Sequence, residues 1–231
     1  AGGVFLLPKN FTLANYIVVF SDSEIFIAFK NTILRTIFGT FTAILFTSVV
    51  AYAMSKSELK GKRFFYYANL FTMFFGGGLI PYFLIINMIG LYDNFLVYII
   101  PPMYSVYHML VMSTFYRSIP TELSESAKMD GANEFYIWTV GLWTVVFHWN
   151  TYMSTLLYTS DSRLVTLQYY IMKIIKNPSY GLNIDGAILD QVSTTTVGYA
   201  AIIISIIPIV LLYPLIHRTF NKGTIIGGIK E

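Results

Sequence analysis

Five apolar windows, each near the length needed to cross a bilayer, are separated by short stretches that hold almost all of the charge. They run over Ile33–Met54, Phe64–Asn87, Phe95–Tyr116, Thr139–Tyr158 and Tyr199–Ile216. About 20 predominantly apolar residues suffice to span the hydrocarbon core as a helix. A backbone in that layer must satisfy its own polar groups, so the windows predict helices and the chain reads as an all-α, polytopic transmembrane bundle. Composition agrees: 231 residues are 55% hydrophobic and only 12% charged, against about a quarter charged in a soluble domain. Net charge is +3, but the basic residues flank the windows, so topology explains them better than nucleic acid does. The absence of cysteine removes disulfide and thiolate chemistry, and Ala1–Ser23 has no signal-peptide pattern.

Each window has its own character. In the first, Gly39, Ala43, Thr47 and Ala51 recur every fourth position, a small-residue stripe suited to close helix packing in lipid. Arg35 lies a turn inside this window, where snorkelling outward is favoured over pore lining. The second is interrupted by Gly76, Gly77, Gly78 and Pro81, read as a hinge that loosens or kinks one span. Pro101-Pro102 divides the third and sets its beginning apart as an interfacial piece; Pro208 and Pro214 are expected to kink or end the fifth. Between the fourth and fifth windows, Leu164–Ile175 has the pattern of an amphipathic helix that lies on the membrane surface.

Basic residues orient the chain. If Ser55–Arg63, the segment 119–138 and the tail 217–231 share one side, it holds Lys56, Lys60, Lys62, Arg63, Arg117, Lys128, Arg218, Lys222 and Lys230. That majority of the 15 basic residues makes it the cytoplasmic side and leaves the loop 159–198 outside. Five spans with an inner C-terminus put Ala1 outside, so a preceding span is expected upstream.

The polar island Ile119–Asn133 stands out between two windows. Pro120 and Thr121 suit a helix start, and Glu122 and Glu125 suit its dipole. Glu125-Ser126-Ala127-Lys128-Met129-Asp130-Gly131-Ala132 resembles the E-A-A-x-x-D-G-A motif of ABC importer permeases. Leu79-Ile80-Pro81 after the glycine run, Gly90-Leu91-Tyr92-Asp93, Trp149-Asn150 and the closing Tyr213-Pro214 with Phe220-Asn221-Lys222-Gly223 resemble the carbohydrate-uptake, maltose-G-like class of that family. The order of these pieces extends the likeness over nearly the whole chain.

The resemblance implies one permease domain of a type I importer for an oligosaccharide. Its partners would be a homologous permease, two ATP-binding-cassette ATPase subunits and an extracytoplasmic sugar-binding lipoprotein. ATP and Mg would sit on the ATPases, with no cofactor on this chain. Glu125, Ala127, Asp130, Gly131 and Ala132 would form the ATPase-coupling knob. Two departures are noted: the family's usual first span is absent, and about fifteen residues that follow the motif in the family are missing between Trp138 and Thr139.

Candidate pathway residues come from the chemistry of sugar binding, which combines an aromatic face with amide and hydroxyl groups. Trp149, Asn150 and Tyr152 supply these, with His148 beside them, although Asn150 and His148 are as well suited to bonding neighbouring helices. Tyr104 and Tyr107, with His108, are weaker candidates because tyrosine also populates interfacial belts. No catalytic residue emerges. The chain has no phosphate-binding G-x-x-x-x-G-K-[ST], no H-E-x-x-H and no G-x-S-x-G, and its three histidines lack metal-ligand spacing. A permease for another solute, or a polytopic membrane enzyme or sensor, are the alternative readings.

Overall fold

The computed structural model describes residues 12–118, 135–177 and 193–227, and all regular structure among them is helical. A short helix α1 (Ala14–Ser21) leads into α2 (Ser23–Ser55), the axis of the molecule. The Asp22 carboxylate caps α2 by accepting from Glu24 N at 2.9 Å, and Glu24 lies in the first turn, where the helix dipole favours an acid. At about 50 Å, α2 is longer than the hydrocarbon core is thick, so its outer turns extend past the Ile33–Met54 window. Its buried residues recur at three- and four-residue steps: Ile25, Ala28, Thr32, Arg35, Gly39, Ala43, Thr47, Ala51 and Met54. The small-residue stripe is therefore a packing face. Arg35 is on it too, only 1% exposed, so it does not snorkel to the surface; its head group is held inside the bundle.

The second window is broken into two helices. Helices α3 (Lys62–Phe74) and α4 (Leu79–Met88) meet at 112° across residues 75–78. Gly78 has φ +86 and ψ 172, a conformation open essentially to glycine alone. Pro81 lies in the first turn of α4, where it helps start a helix and does not bend one.

The third window begins as two 3-10 turns, Phe95–Tyr98 and Pro101–Met103, before α5 (Val106–Ser118), with a 46° bend. This agrees with a separate leading piece set off by Pro101-Pro102. The fourth window breaks as well: α6 (Phe135–Asn150) is followed by the short α7 (Met153–Tyr158). No interruption falls at Trp138–Thr139, which lie within α6.

Helix α8 (Leu167–Lys176) is amphipathic, as its pattern predicts, but its apolar face does not lie on lipid. Leu167, Tyr170, Ile171 and Ile174 pack into a core with Val18, Val19, Ile25, Trp149, Val197 and Ala201. The last helix, α9 (Thr194–Gly227), continues through both Pro208 and Pro214, so neither proline ends it. Membrane helices accept internal proline because neighbouring groups re-satisfy the freed carbonyls.

Among the described residues α2 is the one unbroken helix long and apolar enough to cross a membrane, with up to three such spans if each bent pair counts as one, and the described part of α9 adds a shorter apolar helix over Thr195–Leu211.

The bundle has two distinct ends. At one, Arg117 Nη2 donates to Met54 O at 3.2 Å and Lys62 Nζ donates to Lys56 O at 2.7 Å, so two cations cap the C-terminal carbonyls of α2. Met54, Ala51, Met109, Met112 and Val140 form the core there. This gathers the basic turn 56–61, the end of α5 and the start of α6. At the other end lie α1, α8 and the connection 159–166.

Candidate functional site

The five coupling residues, Glu125, Ala127, Asp130, Gly131 and Ala132, lie outside the described residues. The helices on either side of them leave and re-enter the bundle at the basic end, beside the turn 56–61.

The pathway candidates separate into two groups. Helix α6 presents Val140, Gly141, Thr144 and His148 inward and Trp143, Val146, Phe147 and Asn150 outward, a clean helical division. His148 is fully buried, its ring pressed against Gly39 of α2. A Cβ built on Gly39 would stand 2.4 Å from His148 Cε1, so this contact exists only because residue 39 has no side chain. Trp149 is buried as well: its indole Nε1 donates to Ser205 O of α9 at 3.1 Å. Both residues are committed to contacts between helices and neither reaches an exposed surface.

Asn150 and Tyr152 do reach one. Asn150 Nδ2 donates to Val146 O at 2.9 Å, which leaves its amide oxygen on the outward face. Tyr152 stands at the break between α6 and α7.

Tyr104 and Tyr107 belong to α5 and the residues that lead into it. The Tyr104 hydroxyl bonds Asn69 Oδ1 of α3 at 2.5 Å, which ties α3 to the bundle. Tyr107 is half exposed and stands 6.0 Å from Trp143, and His108 stacks on the same indole at 5.9 Å with 30° between planes. Trp143 is therefore part of the aromatic face, although sequence reasoning passed over it. Its signal was available: Trp143, Phe147 and Asn150 fall at i, i+4 and i+7 on the face opposite the small residues that pack inward.

The resulting surface carries aromatic rings on two adjacent helices, Tyr107 and His108 on α5 and Trp143 and Phe147 on α6, with the Asn150 amide at one margin. Rings and an amide are groups that suit the apolar face and hydroxyls of a sugar. Among the described residues no cluster of acid, histidine or cysteine side chains has the arrangement of a metal site. Gly76, Gly77 and Gly78 form the α3–α4 break, with nothing within 4 Å of a Cβ at Gly76.

The opposite end is polar and closely tied. Asn31 Nδ2 donates to both Arg163 O and Val165 O at 2.8 Å, and Leu167 N donates to Thr32 Oγ1 at 2.8 Å. Thr155 and Thr166 share a hydroxyl bond of 2.7 Å, and Tyr98 OH donates to Leu164 O at 2.7 Å. Asp93, in the left-handed region at φ 52, accepts from the Ser160 hydroxyl, Ser160 N and Asp161 N. Those bonds, the Ser160 hydroxyl first, hold its carboxyl below the usual carboxylate range. Asp161 is likewise lowered, chiefly by its bond with the Arg163 side chain.

Comparison with known proteins gives these features a setting. No protein-family model matches the chain. It is 32% identical to the polygalacturonan/rhamnogalacturonan transport system permease protein YtcP of Bacillus subtilis (strain 168), over 97% of this chain and 84% of that protein. That match extends over 241 positions, more than this chain's 231 residues, so the relative carries residues inside the matched region that this chain lacks. The trehalose transport system permease protein SugB of Mycobacterium tuberculosis (strain CDC 1551 / Oshkosh) is 27% identical over 97% of this chain and 84% of its own length. Among solved structures, a bacterial ABC transporter involved in import of the acidic polysaccharide alginate superposes with a TM-score of 0.82 at 30% identity. The superposition covers 94% of this chain and 83% of that one. On an all-helical fold shared with that importer, and on identity that extends over almost its full length, this chain belongs to the sugar-transport permeases of the ABC transporters.

Proposed function

We propose that this chain is a membrane-spanning permease subunit of an ATP-driven importer that carries an oligosaccharide across the bacterial cytoplasmic membrane by alternating access. The observation that carries the reading is the 32% identity to a polygalacturonan/rhamnogalacturonan permease over nearly the whole chain. The named cargo of the solved relative makes acidic sugars the first to test.

In this mechanism ATP and Mg bind to two partner ATPase subunits, and a second permease completes the translocation path. An extracytoplasmic sugar-binding protein delivers the substrate to the end that holds α1, α8 and residues 159–166. The coupling knob of Glu125, Ala127, Asp130, Gly131 and Ala132 meets the ATPases at the basic end. That placement is supported by α5 and α6, which turn toward residues 119–134 beside Lys56, Lys60 and Arg63, as the positive-inside rule requires of a cytoplasmic face. When the ATPase dimer closes, the knob moves, and helix rocking exposes the central path alternately to each side. The Gly76–Gly78 break is the place in α3–α4 with least resistance to such movement. Trp143, Tyr107 and Asn150 face the path, while Trp149 and His148 hold the helices behind it.

Reconstitution with the partner subunits tests the reading. Gly131→Leu is expected to abolish ATP-dependent uptake while membrane insertion and permease pairing remain normal. Uptake at the native rate would remove the coupling role. A panel of acidic and neutral oligosaccharides, amino acids and phosphate, scored by stimulation of ATP hydrolysis, distinguishes a sugar importer from a permease for another solute.

A further inference from the structure

The break in the fourth window has no helix-breaking residue type at it, and the one local influence is Thr151 Oγ1, which donates back to Phe147 O at 2.8 Å and at most bends a helix. Helix α6 ends at Asn150 and α7 begins at Met153, yet Asn150-Thr151-Tyr152-Met153 contains neither proline nor glycine. Sharp breaks arise at such residues, at bulges, or where a side chain enters the backbone ladder. Here a side chain enters. Arg35 Nη1, from α2, donates to Thr151 O at 2.7 Å. In an unbroken helix that carbonyl would accept from the N–H of Thr155.

Arg35 has strong reason to be there. It is 1% exposed, cannot lose its proton, and among the described residues no carboxylate pairs with it. A buried cation in a membrane bundle needs acceptors, and the C-terminal end of a helix supplies carbonyls at the negative pole of its dipole. The guanidinium also stands 5.0 Å from the centre of the Tyr98 ring, and the Tyr98 hydroxyl donates to Leu164 O. One cation thus joins α2, the α6–α7 junction and, through Tyr98, the connection 159–166.

We propose that Arg35 is a positioning residue that creates the α6–α7 break and thereby sets the directions in which Asn150 and Tyr152 project. Where the proposal concerns uptake it rests on the sugar-import reading; where it concerns geometry it does not. A continuous helix through 151 and 152 would rotate both side chains off their present directions, because the helical step would then be fixed at about 100° per residue.

These 231 residues contain no cysteine, so label recovered on them reports the introduced thiol. In the assembled transporter, Asn150→Cys and Tyr152→Cys are each labelled with a maleimide, and Val49→Cys on the exposed face of α2 serves as reference. Arg35→Met removes the donor at similar length; Arg35→Gln keeps an N–H that reaches toward Thr151. The expected result is a severalfold change in the 150-to-152 labelling ratio for Arg35→Met, with the native ratio kept by Arg35→Gln and no change at position 49. In uptake assays Arg35→Met raises the apparent KM for the transported sugar severalfold more than it lowers the maximal rate, and Arg35→Gln recovers most of the loss.

An unchanged labelling ratio in Arg35→Met overturns the proposal. So does an assembled Arg35→Gln transporter that fails to keep the native ratio. A shifted ratio with unaltered sugar KM upholds the positioning role and counts instead against Asn150 and Tyr152 as pathway residues.

Discussion

Helices α2 and α3 are neighbours in sequence and opposites in what surrounds them. Along α2 a buried residue occurs at nearly every turn, and its polar side chains are bonded to three other parts of the chain. Along α3 no residue is buried, and Phe64, Tyr67, Phe71 and Phe74 are all exposed. The first helix is completed by its own chain; the second presents apolar surface that the described residues leave uncovered. The difference teaches where sensitivity to substitution should lie. A change on α2 disturbs contacts already made, whereas a change on the exposed face of α3, away from Asn69 and Tyr66, acts through lipid, partner subunits or motion.

The largest effect is expected at Gly39. Gly39→Ala would place a methyl group 2.4 Å from His148 Cε1, inside a seam where neither partner has space to move. Overpacking of this kind costs about 1–3 kcal/mol. The thermal midpoint of the purified subunit should fall accordingly, and Gly39→Ala should cost much less in a His148→Ala background than in the native one. If the cost is the same in both backgrounds, the close approach is not what Gly39 provides.

Next comes Asn31, whose amide serves two backbone carbonyls. Asn31→Leu leaves Val165 O without that donor in a buried setting, a loss of about 1–3 kcal/mol, while the part-buried Arg163 O can turn to water. Hydrogen exchange should accelerate at 163–167 while the basic end keeps its protection. Uniform acceleration would mean that the two ends are not separately stabilised.

How much of this contrast could be read from residues alone depends on whether the cause was local. The period-four stripe from Gly39 to Ala51 was legible because small size and helical spacing together leave one packing solution. The glycine run announced a break, but the 112° angle comes from how α3 and α4 are held, which no glycine specifies. The prolines left a kink or an end open in α9, and the end is ruled out because Pro208 and Pro214 lie within a continuous helix. The α6–α7 break was hidden for the reverse reason: its agent, Arg35, is more than a hundred residues away. Trp149 illustrates the limit for the candidate site. Its type suits sugar stacking, and only the Ser205 carbonyl on α9 shows that its ring is taken up by packing.

A smaller effect is expected from pH at the polar end. The Asp93 carboxyl is lowered in the folded protein, so its contribution is complete above the ordinary carboxylate value of about 3.9 and is lost as pH falls through the lower folded value. The connection 159–166 should therefore be insensitive between about pH 8 and pH 5 and loosen only in stronger acid. Asp161 shifts in the same direction, so Asp93→Asn isolates the share of Asp93. Asparagine keeps an oxygen for the two backbone amides and tolerates the left-handed φ of 52, but it loses the charge. The variant should show a shallower acid slope at residues 159–166; an unchanged slope would assign the acid response elsewhere.

The smallest static effect is expected beside α3, and it separates structure from motion. A Cβ at Gly76 meets nothing within 4 Å, and its φ is not in the positive range, so Gly76→Ala should leave stability within about 0.5 kcal/mol of the native chain. Gly78→Ala differs, because φ +86 with ψ 172 is strained for any residue with a side chain, by about 1–3 kcal/mol. If the glycine run serves only to shape the corner, uptake should follow stability, and Gly76→Ala should transport normally. If it serves as the proposed hinge, Gly76→Ala should slow uptake with its thermal midpoint unchanged, because alanine narrows the conformations through which the corner must pass. Loss of rate without loss of stability is a combination that no packing contact on α2 can produce, so this one substitution tells a corner that merely bends from one that moves.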